Sequence, residues 1–393
     1  MKQPFLKLKS YCESQDFAGW DPYDGLNSRV FKATPFKHWD LARLAWIQGF
    51  KRSPVNFRKL LLVPKEHNAK GIGLFLSGYA NLFRFQQESG RELFGSQADL
   101  RQKINYLADL LISLQSRGYS GACWGYNFDW QARGGLFFPA NTPTVVATSF
   151  CASALFSAYE MTRKKDWLDT ALSSARFVLA DLKRAPKKQG FLFSYAPLDG
   201  NNTVYNASLL GSKLLSCCYH YTRDENLKTA ARESVLACVN AQRPDGSWVY
   251  GERPTQNWID SFHTGYNLEA LQMYQDLSGD FSFKPNIEKG FLFYIQHFFL
   301  EDGTPRYYHD RTFPIDIHCP AQLFATLRRL NRFDEHKKLA EKVMQWTIEN
   351  MQNPRGYFYY QLKKGVSSRI SYMRWSNAFM FYAMTEYLCG HDN

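Results

Sequence analysis

A chain of 393 residues with 45% hydrophobic and only 21% charged residues can bury a large core, which excludes a disordered tail protein and a small fold that depends on metals or bridges. Lys and Arg outnumber Asp and Glu by 48 to 36, a formal +12, so an anionic partner is favoured: nucleic acid, acidic lipid or acidic glycan. Aromatic residues reach 16%, with 31 Phe, 23 Tyr and 10 Trp, more than a core needs and typical of a groove lined with rings.

The start, MKQPFLKLKSYCESQ, carries Lys7 and Lys9 where a secretory leader needs an apolar run, and no stretch approaches about 18 uncharged apolar residues. The eight cysteines include no CxxC pair and fit buried thiols in a reducing compartment. These features predict a cytoplasmic protein without membrane insertion. Residues 1–40 read as an N-terminal arm, within which GWDPYDGLNS adds Asp21, Tyr23 and Asp24 as candidate contributors to a site.

Beyond the arm, helical patterns alternate. Segments such as 166–184, 225–242 and 334–352 are amphipathic, with one polar face. Segments 145–161, 205–221, 266–277, 319–330 and 374–388 are apolar nearly all round and rich in small residues. Helices buried on every side alternating with helices buried on one side predict two concentric rings. A sixth pair is expected from 42–50 with 71–85.

Between the helices a turn recurs in which a glycine follows a glutamine and precedes a large ring: QSRGYSGACW, QGF, QRPDGSW, QHFFLEDGTPRY and QNPRGY. Gly190, Gly246, Gly303 and Gly356 lie roughly 55 residues apart, a period that means stacked units. Six such hairpins account for the length once the arm and an insertion near 125–143 are set aside. The runs GFLFSY, GSWVYG and GYFYYQ are expected as short strands at the turns. The expected architecture is all-α, an (α/α)6 toroid of six helical hairpins, as one domain over residues 1–393.

The Gln, Gly and aromatic turns at hairpin spacing resemble those of the alpha/alpha toroid superfamilies, which include squalene-type cyclases, six-hairpin glycosidases, sugar 2-epimerases and the C-terminal domain of glucuronyl C5-epimerases. DPYDGLNS, CWGYNFDWQ, DSFHTGYNLEAL, PIDIHCPAQ and MRWSNAFMFYA resemble an uncharacterised bacterial family that accompanies surface-polysaccharide gene clusters. The resemblance implies a glycan context and no established reaction.

In a toroid, residues before or in the first turn of each inner helix converge on one cavity. DSFHTGYN places His263, Tyr266 and Asn267 on one helical face with Asp260 a turn earlier, a carboxylate beside groups that exchange protons near neutral pH. Asp316 and His318 should face the same cavity from the neighbouring hairpin. Asp260, His263, Tyr266, Asp316, His318 and Tyr372 are therefore the candidate catalytic groups. In SSRISYMRWSNAF, Arg369 and Arg374 offer a two-bond grip on a carboxylate and Trp375 a flat face for a sugar. Trp124, Tyr126 and Asp129 of the insertion, Tyr205 and Asn206, Asn267, and Trp248 of the QRPDGSW turn complete the substrate-binding candidates. Gly134 and Gly135 would let the insertion fold over the mouth.

The leading functional expectation is an enzyme of bacterial polysaccharide biosynthesis or modification that takes a proton next to the carboxylate of an acidic, uronate-containing oligosaccharide or polysaccharide, as C5-epimerases and lyases do. The alternatives are glycoside hydrolysis by a carboxylate pair drawn from Asp129, Asp260 and Asp316, and a non-catalytic glycan-binding protein in a biosynthetic complex. No cofactor is expected, and no metal, because Asp316, His318 and Cys319 lack a third ligand at a convincing spacing. No run of neighbouring aspartates supports terpene cyclisation, and no basic stripe with interleaved rings supports nucleic-acid binding.

Overall fold

A computed structural model describes residues 1–133 and 135–390; Gly134 lies outside the described residues. In chain order the helices are α1 (Lys2–Ser14), α2 (Arg29–Lys32), α3 (Asp40–Arg52), α4 (Ala69–Ser89), α5 (Gln97–Ser113), α6 (Val145–Thr162), α7 (Lys165–Arg176), α8 (Tyr205–Thr222), α9 (Glu225–Val239), α10 (Ser261–Ser278), α11 (Lys284–Phe298), α12 (His318–Arg329), α13 (Lys337–Met351) and α14 (Phe379–Gly390). One turn of π-helix, Met373–Ala378, leads into α14, and a 3-10 turn, Asp24–Asn27, precedes α2.

The inner ring is made of α4, α6, α8, α10, α12 and α14. Each packs on the next and α14 returns to α4, so the ring is closed. Small residues set the spacing: a Cβ on Gly78 would lie 2.6 Å from the Phe381 ring of α14, and one on Gly265 would lie 2.4 Å from Gln322 of α12. The outer helices bury single stripes, as α7 does with Trp167, Ala171, Ser174 and Ala175. The fold is an all-α (α/α)6 toroid, with short strands at the connections.

The repeated turns are the joints between neighbouring hairpins. Gly190 has a φ of +73°, and a Cβ there would lie 1.9 Å from the carbonyl oxygen of Glu233 on α9. Gly356 (φ +103°) seats in the same way on Lys7 of α1. The rings that follow the turns point inward: Trp124 Nε1 donates to Leu111 O at 2.7 Å, and Trp248 Nε1 donates to Cys238 O at 3.0 Å.

This seating corrects the expected sixth pair. The outer position beside α14 belongs to α1, whose Phe5, Leu8 and Cys12 are spaced to bury one stripe, with Phe5 against the rings of Phe94 and Phe381. The segment 42–50 lies in α3, which packs instead on the Asp24–Asn27 turn and the strand β1 (Trp130–Gln131). There it shares a small separate core of Leu26, Phe31 and Ile47. Only Ile47 and Phe50 of α3 are buried, too narrow a stripe for the outer ring.

β1 pairs with β2 (Phe137–Phe138) inside the insertion, and β3 (Arg184–Pro186) pairs with β4 (Phe191–Phe193). β5 (Ile315–Asp316), β6 (Tyr359–Leu362) and β7 (Ser368–Ser371) form an antiparallel sheet in that order. Two of the three expected strand runs thus pair as strands. GSWVYG remains irregular, with a bridge between Gly251 and Val204 and a hydrogen bond from the Tyr250 N–H to Trp258 O in place of a strand.

Candidate active site

The inner helices all begin at one end of the ring, and capping side chains fix several of these starts. Asn68 caps α4 through the N–H groups of Lys70 and Gly71, Thr144 caps α6 through Ala147, and Asp260 caps α10 through His263. The positive ends of the helix dipoles therefore gather at this mouth.

Asp260 does more than cap. Its Oδ1 accepts from the His263 N–H at 3.0 Å, while Oδ2 lies 2.7 Å from His263 Nδ1 and accepts from Trp258 Nε1 at 2.8 Å. A carboxylate only accepts, so the proton between them sits on Nδ1, and His263 Nε2 makes no hydrogen bond among the described residues. Asp260 is buried and His263 is partly exposed. The Tyr250 ring stacks on Trp258 at 4.5 Å and lies 4.6 Å from His263, completing an aromatic wall.

One turn along α10, Tyr266 meets His318 of α12: its hydroxyl lies 2.6 Å from His318 Nε2. His318 is buried beneath rings, stacked on Phe262 at 4.3 Å and flanked by Phe379 at 3.6 Å and Trp375 at 5.0 Å. Its Nδ1 has no partner. Burial, with help from nearby Lys70, His263 and Arg374, holds His318 well below the ordinary imidazole value, so it is neutral. Burial also pushes the Tyr266 phenol well up, so it keeps its proton.

Lys70 completes this floor. Its Nζ lies 3.4 Å from the Tyr266 hydroxyl and over the rings of Phe150 and Phe379, at 4.0 and 5.0 Å. No carboxylate pairs with it among the described residues. Burial first, then Arg374, pulls its amine well below the ordinary lysine value.

Several candidates occupy other roles. Arg374 does not present an open fork: its Nε and Nη2 donate to Asp21 at 2.6 and 2.8 Å. The grip expected for a substrate carboxylate is spent on the arm. Asp316 is likewise committed, accepting from the His318 N–H, Trp375 Nε1 and Gln361 Nε2; burial lifts it to about 6. It positions His318 and Trp375 rather than facing the cavity.

Tyr372 is buried, and its hydroxyl accepts from Arg58, which also donates to Asp24 and to Asp21 O. Arg369 is exposed on β7 against Tyr359. Trp124 and Trp248 are the structural anchors described above. Asp129 accepts from the Ala140 N–H and shapes the insertion.

Trp375 and Tyr126 do stand at the site, each with its ring 5.1 Å from the Arg374 guanidinium. Tyr126 reaches Tyr195 through their hydroxyls at 3.4 Å. Tyr205 is buried, with its phenol lifted to about 12 by burial. Asn206 and Asn267 are buried, and each has an amide oxygen without a partner.

The sequence reading missed Lys70, Tyr195, Tyr250 and Trp258. Lys70 had a legible signal, a single cation at the head of the otherwise apolar run AKGIGLFLSGYANLF. Tyr250 and Trp258 flank the irregular segment 251–257 and carry no helical periodicity that would mark them. Among the described residues no group of three or more His, Cys, Asp or Glu could hold a metal ion.

No protein-family model matches the sequence, and no curated protein matches it either. Solved structures match in fold. A cellobiose 2-epimerase from Bacillus thermoamylovorans B4167 is 13% identical, covering 82% of this chain and 88% of that one, with a TM-score of 0.60. An unsaturated glucuronyl hydrolase specific for heparin is 13% identical over 98% of this chain and 95% of its own, with a TM-score of 0.62. A GH76 alpha-mannanase from Bacteroides thetaiotaomicron is 12% identical over 82% and 86%, with a TM-score of 0.60. These likenesses show the toroid.

Proposed function

We propose that the protein is a carbohydrate-active enzyme that moves a proton at a sugar carbon next to a carboxylate, an epimerase or lyase type of reaction on an acidic, uronate-containing glycan. The observation that carries this reading is the 2.6 Å contact between Tyr266 and His318 beneath the unpaired Lys70, one helical turn from the Asp260-oriented His263. His263 Nε2 is the accessible base. Tyr266, backed by neutral His318, is the proton donor from the floor; the rings of His263 and Tyr266 lie 6.0 Å apart.

Charge supports an acidic substrate. Arg374 is balanced by Asp21 and His263 faces Asp260, which leaves Lys70, among the described residues, as the amine of the floor without a carboxylate, amid gathered helix N-termini; an incoming carboxylate would favour its protonated form. A carboxylate, or the enediolate formed when its α-proton leaves, would find its counter-charge there. The wall of Tyr126, Tyr195, Tyr250 and Trp258 offers faces for sugar rings. Likeness in fold to a sugar epimerase and to a glucuronyl hydrolase adds a glycan setting. The cysteines, unpaired among the described residues, fit a reducing compartment such as the cytoplasm.

Hydrolysis by paired carboxylates has less support, because Asp129, Asp260 and Asp316 are each held by protein donors. The test is incubation with a panel of uronic-acid oligosaccharides and polymers in deuterated water. Deuterium should enter at C5, and absence of label and of unsaturated products across the panel would refute the proposal. A His263→Ala/His318→Ala protein that binds glycan and complements a deletion like wild type would favour a non-catalytic binding role instead.

A further inference from the structure

Most of the large hydrophobic side chains exposed among the described residues belong to one lobe. Of the fourteen large hydrophobic side chains that stand exposed among the described residues, eight fall between Val30 and Leu62, less than a tenth of the chain. Leu41 is 81% exposed, Leu60 74% and Trp39 60%. Such exposure marks side chains that project outward, since the wall of a groove would shield its own residues. A scatter of single exposed apolar residues needs no explanation, but this density does.

The lobe is a built unit. Leu26, Phe31 and Ile47 form its core, and Ser28 Oγ donates to Leu61 O at 2.6 Å while the Arg29 N–H donates to Leu62 O at 3.3 Å, which brings Val30 beside Leu62. Phe36 and Trp39 contact edge to face at 5.4 Å. The tip of the β6–β7 hairpin joins it, because Lys363 Nζ donates to Arg52 O at 3.2 Å, and Val366 on that tip is 70% exposed.

The charge on the lobe is one-sided. Residues 29–62 hold eight Lys and Arg and a single acid, Asp40, which pairs with Arg43. Arg29, Lys32, Lys37, Arg52 and Lys59 are exposed between the apolar residues. Projecting Trp, Phe and Leu side chains interleaved with cations match a bilayer interface, where apolar side chains enter the acyl boundary and cations meet anionic headgroups. A protein partner would require complementary pockets for each projecting chain.

We propose that the lobe formed by residues 29–62 and the β6–β7 tip docks on anionic lipid membranes, as a peripheral contact and not a span. No helix among the described residues is long and apolar enough to cross a membrane, which agrees with surface docking. The lobe also borders the site: Lys51 Nζ donates to the Tyr23 hydroxyl at 2.6 Å, and the Tyr23 ring lies 5.6 Å from Trp375. Docking thus holds the rim of the cavity near the lipid surface. This inference stands independently of the proposed reaction.

Flotation of the full chain with vesicles tests it. The protein should float with vesicles of phosphatidylcholine mixed with phosphatidylglycerol, much less with phosphatidylcholine alone, and less as salt is raised. Trp39→Ser/Leu41→Ser/Leu60→Ser and Lys32→Glu/Lys37→Glu/Lys59→Glu change only exposed side chains, and each should cut partition at least about tenfold with an unchanged circular dichroism spectrum. Equal flotation on both lipids, no flotation, or undiminished partition of both variants would overturn the proposal. So would a wild-type dimer that the first variant converts to a monomer without any lipid binding, because the lobe would then be a contact between copies.

Discussion

Arg374 and Asp21 lie 353 residues apart in the sequence and share two hydrogen bonds of 2.6 and 2.8 Å in the interior. The pair ties the N-terminal arm to the start of the last inner helix and commits the Arg374 guanidinium to that arm. Breaking a buried pair leaves the survivor uncompensated, at a cost of about 3–5 kcal/mol. Asp21→Ala and Arg374→Ala should therefore each destabilise strongly, and the double variant should lose much less than their sum. Denaturant unfolding in a double-mutant cycle measures the difference.

Lys70 is expected to trade stability for activity. Its amine is buried without a carboxylate, so Lys70→Met should stabilise the fold by roughly 1–3 kcal/mol near neutral pH while abolishing turnover. The sign follows from its lowered proton affinity. Below the ordinary lysine value the unfolded chain binds a proton that the folded chain binds less readily, which penalises folding. The gain in the variant should shrink as pH rises toward about 10.5, where both states become neutral. A gain that persists unchanged at high pH would contradict this.

His318 contributes in the same direction over a different window. Its depressed value means that acidification below about 6.5 protonates the unfolded chain first, so stability falls with pH from there. Asp24 and Asp316, both raised to about 6, act oppositely: they add stability at low pH, and it is lost as pH rises from about 3.8 through 6. NMR of labelled histidines should find the His318 imidazole, assigned through His318→Gln, still neutral well below pH 6.5, further than that of His336, which burial lowers as well.

The turn glycines are joints rather than hinges. Gly190→Ala would drive a methyl into the Glu233 carbonyl at a positive φ and should cost upward of about 2 kcal/mol. Gly90→Ala has a φ of +68° but open space around its Cβ position, and should cost only about 1 kcal/mol. Thermal unfolding of the two variants separates steric contact from backbone strain.

The repeats were legible in the sequence because each glycine must meet a backbone and each inner helix must shed bulk, constraints that act on single residue types. The closed ring followed from their count. The sixth outer helix was not legible: α1 and 42–50 both carry apolar residues at helical spacing, and contacts between distant segments, the seating of Gly356 on Lys7 and the packing of α1 on α14, decide between them. At the site, Asp260, His263 and Tyr266 share one helix, so local periodicity brought them together. Contacts such as Arg374 with Asp21 or Arg58 with Tyr372 join distant segments and leave no periodic trace. Trp124 and Trp248 are anchors and not sugar platforms, and the sequence does not separate the two, because an inward-facing anchor and an exposed stacking ring look alike in it.

In the proposed reaction, His263 takes a proton from a sugar carbon and the Tyr266 and His318 pair returns one. Mass spectrometry of uronate oligosaccharides incubated with enzyme in deuterated water measures this directly. Wild type should place deuterium at C5, His263→Ala and Tyr266→Phe should lower the rate by about 10² to 10⁴ without unfolding, and Asp129→Asn should leave it intact. Full labelling by His263→Ala, or chain cleavage with no label and no unsaturated product, would contradict the account.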